Sequence, residues 1–278
     1  MTPRQAAVLG CPVRHSLSPV LHAAAYRVLG MDWSYGAHEV DEPGLAGFLA
    51  SLDSSWAGLS LTMPLKRVAV GLCTELGETA ALVGAVNTIT FFPAGLRGDN
   101  TDVPGMVNAL AEVGVERESA AAVLGGGATA ASTVAALARI GVTDVDLFAR
   151  SPERAQPVRA LARRLGVDLV VRPWDTAAGG LSRPLVIATT PGGAADALAE
   201  QVRPPCGVLF DVAYDPWPTP LGAAWQAAGG PVLSGLDLLV HQAVIQVELM
   251  TGRTDLGGQL VPAMRNAGFA ALAARHRN

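Results

Sequence analysis

The stretch that most restricts how this chain can fold is Gly125-Gly126-Gly127-Ala128-Thr129-Ala130. It follows the apolar run Ala120 to Leu124 and leads into the helical pattern Ala131 to Ile140. Few folds need such a turn. The chain must reverse tightly, start a helix against the preceding strand, and leave the first helical N–H groups facing outward. The spacing matches the G-x-G-x-x-A form of the dinucleotide fingerprint, where those amides and the positive end of the helix dipole hold a pyrophosphate. Three glycines alone would also suit an ordinary turn. The flanking strand and helix make the stretch a binding signal and give one half of the chain a Rossmann-type reading.

The next strand, Val145 to Phe148, refines this expectation. A domain built for NAD normally ends that strand in an acidic residue that holds the ribose 2′-hydroxyl. Here the strand runs into Ala149-Arg150-Ser151-Pro152-Glu153-Arg154. Two solvated arginines at a helix start would sit at the positive end of the helix dipole, a poor place for cations. A 2′-phosphate accounts for Arg150 and Arg154 better, which predicts NADP.

Strands and helices alternate through the rest of the chain, so the fold class is α/β. Arg4 to Gly10, Trp33 to Val40 and Trp56 to Leu61 read as strands, with helices Pro19 to Leu29 and Leu45 to Leu52 between them. That βαβαβ order predicts a parallel sheet. Ala85 to Thr90 reads as a further strand and Val103 to Val113 as a helix. Later strands are expected at Val167 to Val171, Leu185 to Thr190, Val208 to Ala213 and Val232 to Leu233, then helices Leu236 to Met250 and Pro262 to Ala274. At 278 residues the chain is large for one core, and two domains are expected.

Several polar residues stand where such a fold binds ligands. The chain has 20 Lys plus Arg, of which Lys66 is the only lysine. A bias toward arginine explains the other 19, but lysine can release its proton in a protein and arginine in practice cannot. Lys66 and Thr62 lie just past the carboxyl end of a strand, at the expected start of a helix, on the edge where open α/β sheets take ligands. Ser16 and Ser18 alternate in a loop, so an extended backbone would point both hydroxyls one way; Ser18 could equally cap the helix that Pro19 opens. Asn87 sits in an apolar strand, suited to a neighbouring backbone or to a hydroxylated ligand. Asp102 stands at a helix mouth, where a capping role is the ordinary one. Asp237 and His241 read as ordinary polar positions.

Composition excludes some classes. A net charge of −4 offers no electrostatic footprint for nucleic acid or an anionic membrane. Three scattered cysteines suit neither a disulfide framework nor a zinc ligand set. The apolar run near the N-terminus is too short for a membrane span and lacks a clear cleavage pattern, so a soluble cytoplasmic protein is expected.

The motifs in order resemble the shikimate dehydrogenase family nearly end to end. The family's serine pair is matched by Ser16 and Ser18, and its Asn-Val-Thr-x-Pro-x-Lys motif by Ser60 to Lys66. Gly84 to Thr88 match G-A-V-N-T, and Asn100 to Asp102 match N-T-D. Ile187 to Gly192 match the N-A-T-P-x-G loop more loosely. Asp211 to Pro216 match D-x-x-Y-x-P, and Gly235 to Ala243 match G-x-x-M-L-x-x-Q-A.

The resemblance implies an N-terminal mixed α/β substrate domain, residues 1–102 with 238–278, joined to a Rossmann-type NADP-binding domain of residues 103–237. The implied activity is NADP-dependent reduction of 3-dehydroshikimate to shikimate, on the route to chorismate and the aromatic amino acids. Lys66 and Asp102 would form the catalytic pair. Ser16, Ser18, Thr62, Asn87, Tyr214 and Gln242 would contact the substrate, the serines at its carboxylate. Gly125, Gly126, Gly127, Ala128, Thr129, Ala130, Arg150, Ser151, Arg154, Thr189, Val212 and Gly235 would hold NADPH, with no metal. Ser60 replaces the family's asparagine, outside the matched contacts, and little is expected of it. Gly126, Ala128 and Ala149 replace the family's Ala, Gly and Asn around the cofactor.

Two alternatives remain at this level. One is a quinate/shikimate or aminoshikimate dehydrogenase using NAD or NADP. The other is a non-catalytic metabolite-binding relative, whose mark would be loss of the lysine or aspartate; both are present. The expected partner is a small molecule, with no nucleic acid and no membrane, and a homodimer is the assembly allowed for.

Overall fold

The computed structural model describes residues 3–276, apart from the side chains of Ala128 and Arg154. The chain divides after Gly105 and again before Leu239 into two compact units. In the first, β1 (Arg4–Gly10), α1 (Ser18–Val28), β2 (Trp33–Glu39), α2 (Leu45–Ala50) and β3 (Trp56–Leu61) alternate. Then come β4 (Glu75–Leu76), α3 (Glu78–Val83), β5 (Thr88–Phe92), β6 (Gly95–Asp99) and the start of α4 (Asp102–Glu112). The sheet order is β2-β1-β3-β5-β6-β4. β1 pairs in parallel with β2 and β3, as helical crossovers require, whereas β5 runs antiparallel to β3 on one side and forms a hairpin with β6 on the other. Leu9, Leu59 and Ile89 are fully buried and join Leu45 and Leu65 in one core.

The second unit holds β7 (Ala120–Leu124), α5 (Ala128–Arg139), β8 (Asp144–Ala149), α6 (Gln156–Arg164), β9 (Asp168–Pro173), β10 (Leu185–Ala188), β11 (Val208–Asp211), α7 (Pro220–Ala227) and β12 (Val232–Ser234). All its strands are parallel, in the order β12-β11-β10-β7-β8-β9. That is the doubly wound arrangement, and its order reverses between β7 and β10, the place where such sheets bind ligands. Phe148, Leu209 and Trp225 anchor the core, and the Trp225 indole donates to the Gly207 carbonyl at 2.9 Å. α8 (Gly235–Thr251) leads back to the first unit, where α9 (Gly257–Arg275) packs on α1. Among the described residues no helix is long and apolar enough to cross a membrane.

Several expected elements differ. The strand expected from Ala85 begins at Thr88. Gly84, left-handed at φ 66°, closes α3, and the Val86 N–H turns to the Lys66 carbonyl at 2.7 Å, so the regular ladder starts later. No α-helix starts at Lys66. The chain turns there and enters a short 3-10 helix at Val68–Leu72, where Val68, Val70 and Gly71 are weak α-helix formers. The serine loop is a turn, not an extended run. Ser18 is the first residue of α1, after the N-cap Leu17, whose own side chain makes no capping bond. α9 starts five residues before Pro262, since Leu260 and Met264 are both buried and hold an earlier turn against the core.

Candidate active site

Lys66 lies in the turn after β3 and Asp102 opens α4. The Lys66 ammonium meets Asp102 Oδ2 at 2.7 Å. The lysine side chain is 31% exposed and the aspartate 14%, so the pair is reachable from solvent yet largely enclosed. An aspartate at a helix mouth would ordinarily be occupied as a cap. Here Asn100 does that work: its Oδ1 accepts the N–H groups of Asp102 at 3.1 Å and Val103 at 3.3 Å. The Asp102 carboxylate is thereby left to Lys66 and Asn87, and this division of labour between two residues of one tripeptide was not expected from the sequence.

Asn87 is 1% exposed and holds the site together. Its Nδ2 faces three acceptors that share its two protons: Asp102 Oδ1 at 2.9 Å, Thr101 Oγ1 at 3.0 Å and Gln242 Oε1 at 3.1 Å. Its Oδ1 accepts from the Thr88 hydroxyl and the Thr101 N–H, both at 2.9 Å. Gln242 reaches this cluster from α8. The approach depends on Gly105, where a Cβ would stand 2.8 Å from the Gln242 backbone nitrogen. The structure therefore brings Lys66, Asn87, Asp102 and Gln242 into one hydrogen-bonded group.

Thr62, Ser16 and Ser18 lie at the same carboxyl edge of the sheet. The Thr62 N–H donates to the Leu9 carbonyl at 2.9 Å, which ties the ends of β1 and β3 together. Ser16 Oγ accepts the Ser18 N–H at 3.2 Å. Ser18 is buried, and burial pushes the Tyr35 phenol well above the usual tyrosine range. Tyr35 in turn donates to Ser60 Oγ at 2.6 Å, and Ser60 donates to Gln246 Oε1 at 2.9 Å. Little was expected of Ser60, yet it is 3% exposed and fully engaged. Tyr35, Gln246, Asn100 and Thr101 were missed as residues of the site. Only Asn100 and Thr101 carried a signal, through their place in the matched N-T-D run.

The second unit carries the glycine turn. Gly125 has φ +111°, and a Cβ there would stand 2.8 Å from Thr189 Oγ1, so only glycine suits the position. The Thr189 hydroxyl donates to the Leu124 carbonyl at 3.1 Å or the Gly125 carbonyl at 3.2 Å, which binds β10 to the turn. Gly127 is the N-cap of α5 and has no side chain to close the first helical amides. Ala130 is buried and gives its N–H to the Gly127 carbonyl at 3.1 Å. A cavity of about 200 Å³ opens over this turn, lined also by Arg150, Ser151, Thr189 and Trp174.

Arg150 is exposed and makes no hydrogen bond or ion pair with the described residues. Ser151 donates to Glu153 at 2.8 Å. An uncapped helix mouth, a side-chain-free turn and an uncommitted guanidinium are the donor set that a phosphorylated dinucleotide requires. Trp174, on that cavity's wall, was not singled out by sequence. The side chains of Ala128 and Arg154 lie outside what the structure describes. The Val212 N–H donates to Ala188 and the Gly235 N–H to Ala213, each at 3.0 Å, so both positions are tied down by their backbones; the Tyr214 ring stands beside Gly235. Among the described residues no group of three or more His, Cys, Asp and Glu could hold a metal ion.

Comparison with known proteins finds similarity along nearly the whole chain. The model for the shikimate dehydrogenase substrate binding domain matches residues 8–89. The shikimate dehydrogenase (NADP(+)) of Acidiphilium cryptum is 38% identical over 248 residues, covering 87% of this chain and 88% of that relative. The crystal structure of Mycobacterium tuberculosis shikimate dehydrogenase is 40% identical and superposes with a TM-score of 0.87, over 98% of this chain and 100% of that one. A Thermus thermophilus shikimate 5-dehydrogenase, solved in complex with NADP(H) and shikimate, is 33% identical, with a TM-score of 0.81 over 95% and 99% of the two chains.

Proposed function

The chain belongs to the shikimate dehydrogenase family, and from that premise we propose that it is an NADP-dependent shikimate dehydrogenase. It is an oxidoreductase acting on a CH–OH group, reversibly reducing 3-dehydroshikimate to shikimate in the shikimate pathway. The observation that carries this reading is the Lys66–Asp102 contact at 2.7 Å, with Asn87 and Gln242 around it.

Bound NADP(H) supplies the hydride chemistry at the ring carbon. The chain supplies the proton chemistry. In the oxidative direction the hydroxyl proton passes to the Lys66–Asp102 pair, and in the reductive direction the pair returns a proton to the carbonyl oxygen. Asn87 holds Asp102 Oδ1, which keeps Oδ2 aimed at the ammonium. Gln242 offers an amide to the ring hydroxyls, and Thr62, Ser16 and Ser18 take the substrate from the same sheet edge, the serines at the carboxylate. On this reading the first unit is the substrate domain, and the doubly wound unit holds NADP through its glycine turn, with Arg150 and Arg154 at the 2′-phosphate. Tyr214, Val212 and Gly235 complete the contacts from that unit.

Steady-state kinetics with shikimate and quinate, each against NADP and NAD, test the whole reading. Shikimate with NADP should give the highest kcat/KM, and Arg150→Ala should raise the NADP KM with little change for NAD. A clear preference for quinate with NAD would replace the proposal by the quinate branch of the family. Shikimate binding with no NADP reduction above a Lys66→Ala control would make the protein a metabolite binder instead.

A further inference from the structure

We propose that Gln246 is a positioning residue that fixes which end of the Gln242 carboxamide faces the substrate, with Ser60 and His22 as its anchors. The proposal rests on the reading of Gln242 as a substrate contact. Gln242 and Gln246 lie one helical turn apart on α8, so their side chains share a face. Gln246 is 1% exposed, and every polar atom of its side chain is engaged.

Donor bookkeeping settles how that carboxamide must point. Tyr35 donates to Ser60 at 2.6 Å, so the single Ser60 hydroxyl proton is free for Gln246 Oε1 at 2.9 Å. His22 is fully buried; with the Tyr26 hydroxyl donating to its Nδ1 at 3.5 Å, Nε2 carries the ring proton toward Gln246 Oε1 at 3.2 Å. Burial drives the His22 pKa down to about 3, so the ring stays neutral with one proton to give. Two donors therefore converge on one oxygen. Gln246 Nε2 must turn the other way, toward Thr88 Oγ1 at 3.2 Å, the Asn87 carbonyl at 3.4 Å and Gln242 Oε1 at 3.5 Å.

The consequence falls on Gln242. Its Oε1 faces only donors, Asn87 Nδ2 at 3.1 Å and, more distantly, Thr101 Oγ1 and Gln246 Nε2, each at 3.5 Å. A carboxamide whose oxygen is surrounded by donor groups presents its NH2 at the opposite end. Gln242 Nε2 has no partner among the described residues, and it is the donor offered to a substrate hydroxyl. Reversing Gln242 would set its NH2 against two other NH2 groups. The asparagine of the family motif at position 60 is a serine here, and the carboxamide packed beside it comes from α8 instead.

The test compares wild type with Gln246→Met, which keeps the length of the side chain but removes both its donor and its acceptor, and with Ser60→Ala, which removes one of the two anchoring donors. Shikimate KM and kcat are measured together with shikimate Kd by calorimetry without cofactor. Gln246→Met should raise KM and Kd by about tenfold, the scale of one misdirected ligand hydrogen bond, while kcat stays within about threefold. Ser60→Ala should move the same two constants in the same direction by less. Unchanged KM and Kd in both variants, or a fall in kcat with KM unchanged, would overturn the positioning role and leave Gln246 as a packing residue. If Gln246→Met does not fold, Ser60→Ala decides the question by the same criteria. Failure of the functional reading looks different, because the wild type itself would then neither bind nor oxidise shikimate.

Discussion

Lys66 and Asp102 are 36 residues apart in the chain and 2.7 Å apart in space. Each was conspicuous in sequence for its own reason: Lys66 as the one ammonium among arginines, Asp102 as a carboxylate at a helix mouth. Their contact was legible only through family resemblance, because nothing local to either residue encodes the other. Asn87 illustrates the complement. A lone amide in an apolar run could have served a backbone or a ligand, and in the fold it organises Thr101, Asp102 and Gln242 at once. At this scale the prediction concerns the proton. Lys66→Ala should lower kcat about 10²- to 10⁴-fold, the range of a lost general acid or base, while shikimate KM changes only a few-fold because the hydroxyl contacts remain. An unchanged turnover number would remove Lys66 from the mechanism.

The start of α4 shows what an element contributes. Asn100 accepts the first two helical N–H groups and donates to the Ala85 carbonyl at 3.0 Å, so one side chain both caps the helix and ties it to the segment before β5. Without it the carboxylate of Asp102 would compete to cap its own helix. Asn100→Ala should cost about 1–2 kcal/mol in urea unfolding, and it should also lower kcat as Asp102 turns toward the bare helix end. Wild-type stability together with wild-type turnover would show that the cap is dispensable. Periodicity located the helix to within a residue but could not say which polar residue of the N-T-D run would cap it. The same limit explains the late start of β5: the Val86 N–H finds the Lys66 carbonyl, a partner that local propensity does not contain.

Over the molecule, each unit has its own core, and the polar network behind the candidate site crosses the first unit from α1 to α8. His22 is the titratable point of that network, fully buried and stacked on Tyr35 at 3.9 Å between ring centroids. Burial, partly opposed by the bond to Gln246, lowers its pKa from 6.5 to about 3. Above pH 6.5 the ring is neutral in both the folded and unfolded states and adds no pH dependence. Below it the unfolded chain takes up a proton that the folded protein refuses until about pH 3. Stability therefore falls as pH drops through that window, with a limiting slope on the order of 1 kcal/mol per pH unit. The difference in unfolding free energy between wild type and His22→Asn should narrow steadily from pH 7 to 4; parallel pH profiles would mean that His22 is not the group responsible. The α/β class, the glycine turn and the arginine at the following strand end were all readable from the sequence, because periodicity, turn chemistry and charge act over a few neighbouring residues. The capping of α4 by Asn100, the engagement of Ser60 and the orientation of the Gln246 carboxamide were decided by tertiary structure alone. A hydrogen bond is made or lost within about half an ångström, and positions that fine arise only when strands and helices remote in sequence have packed.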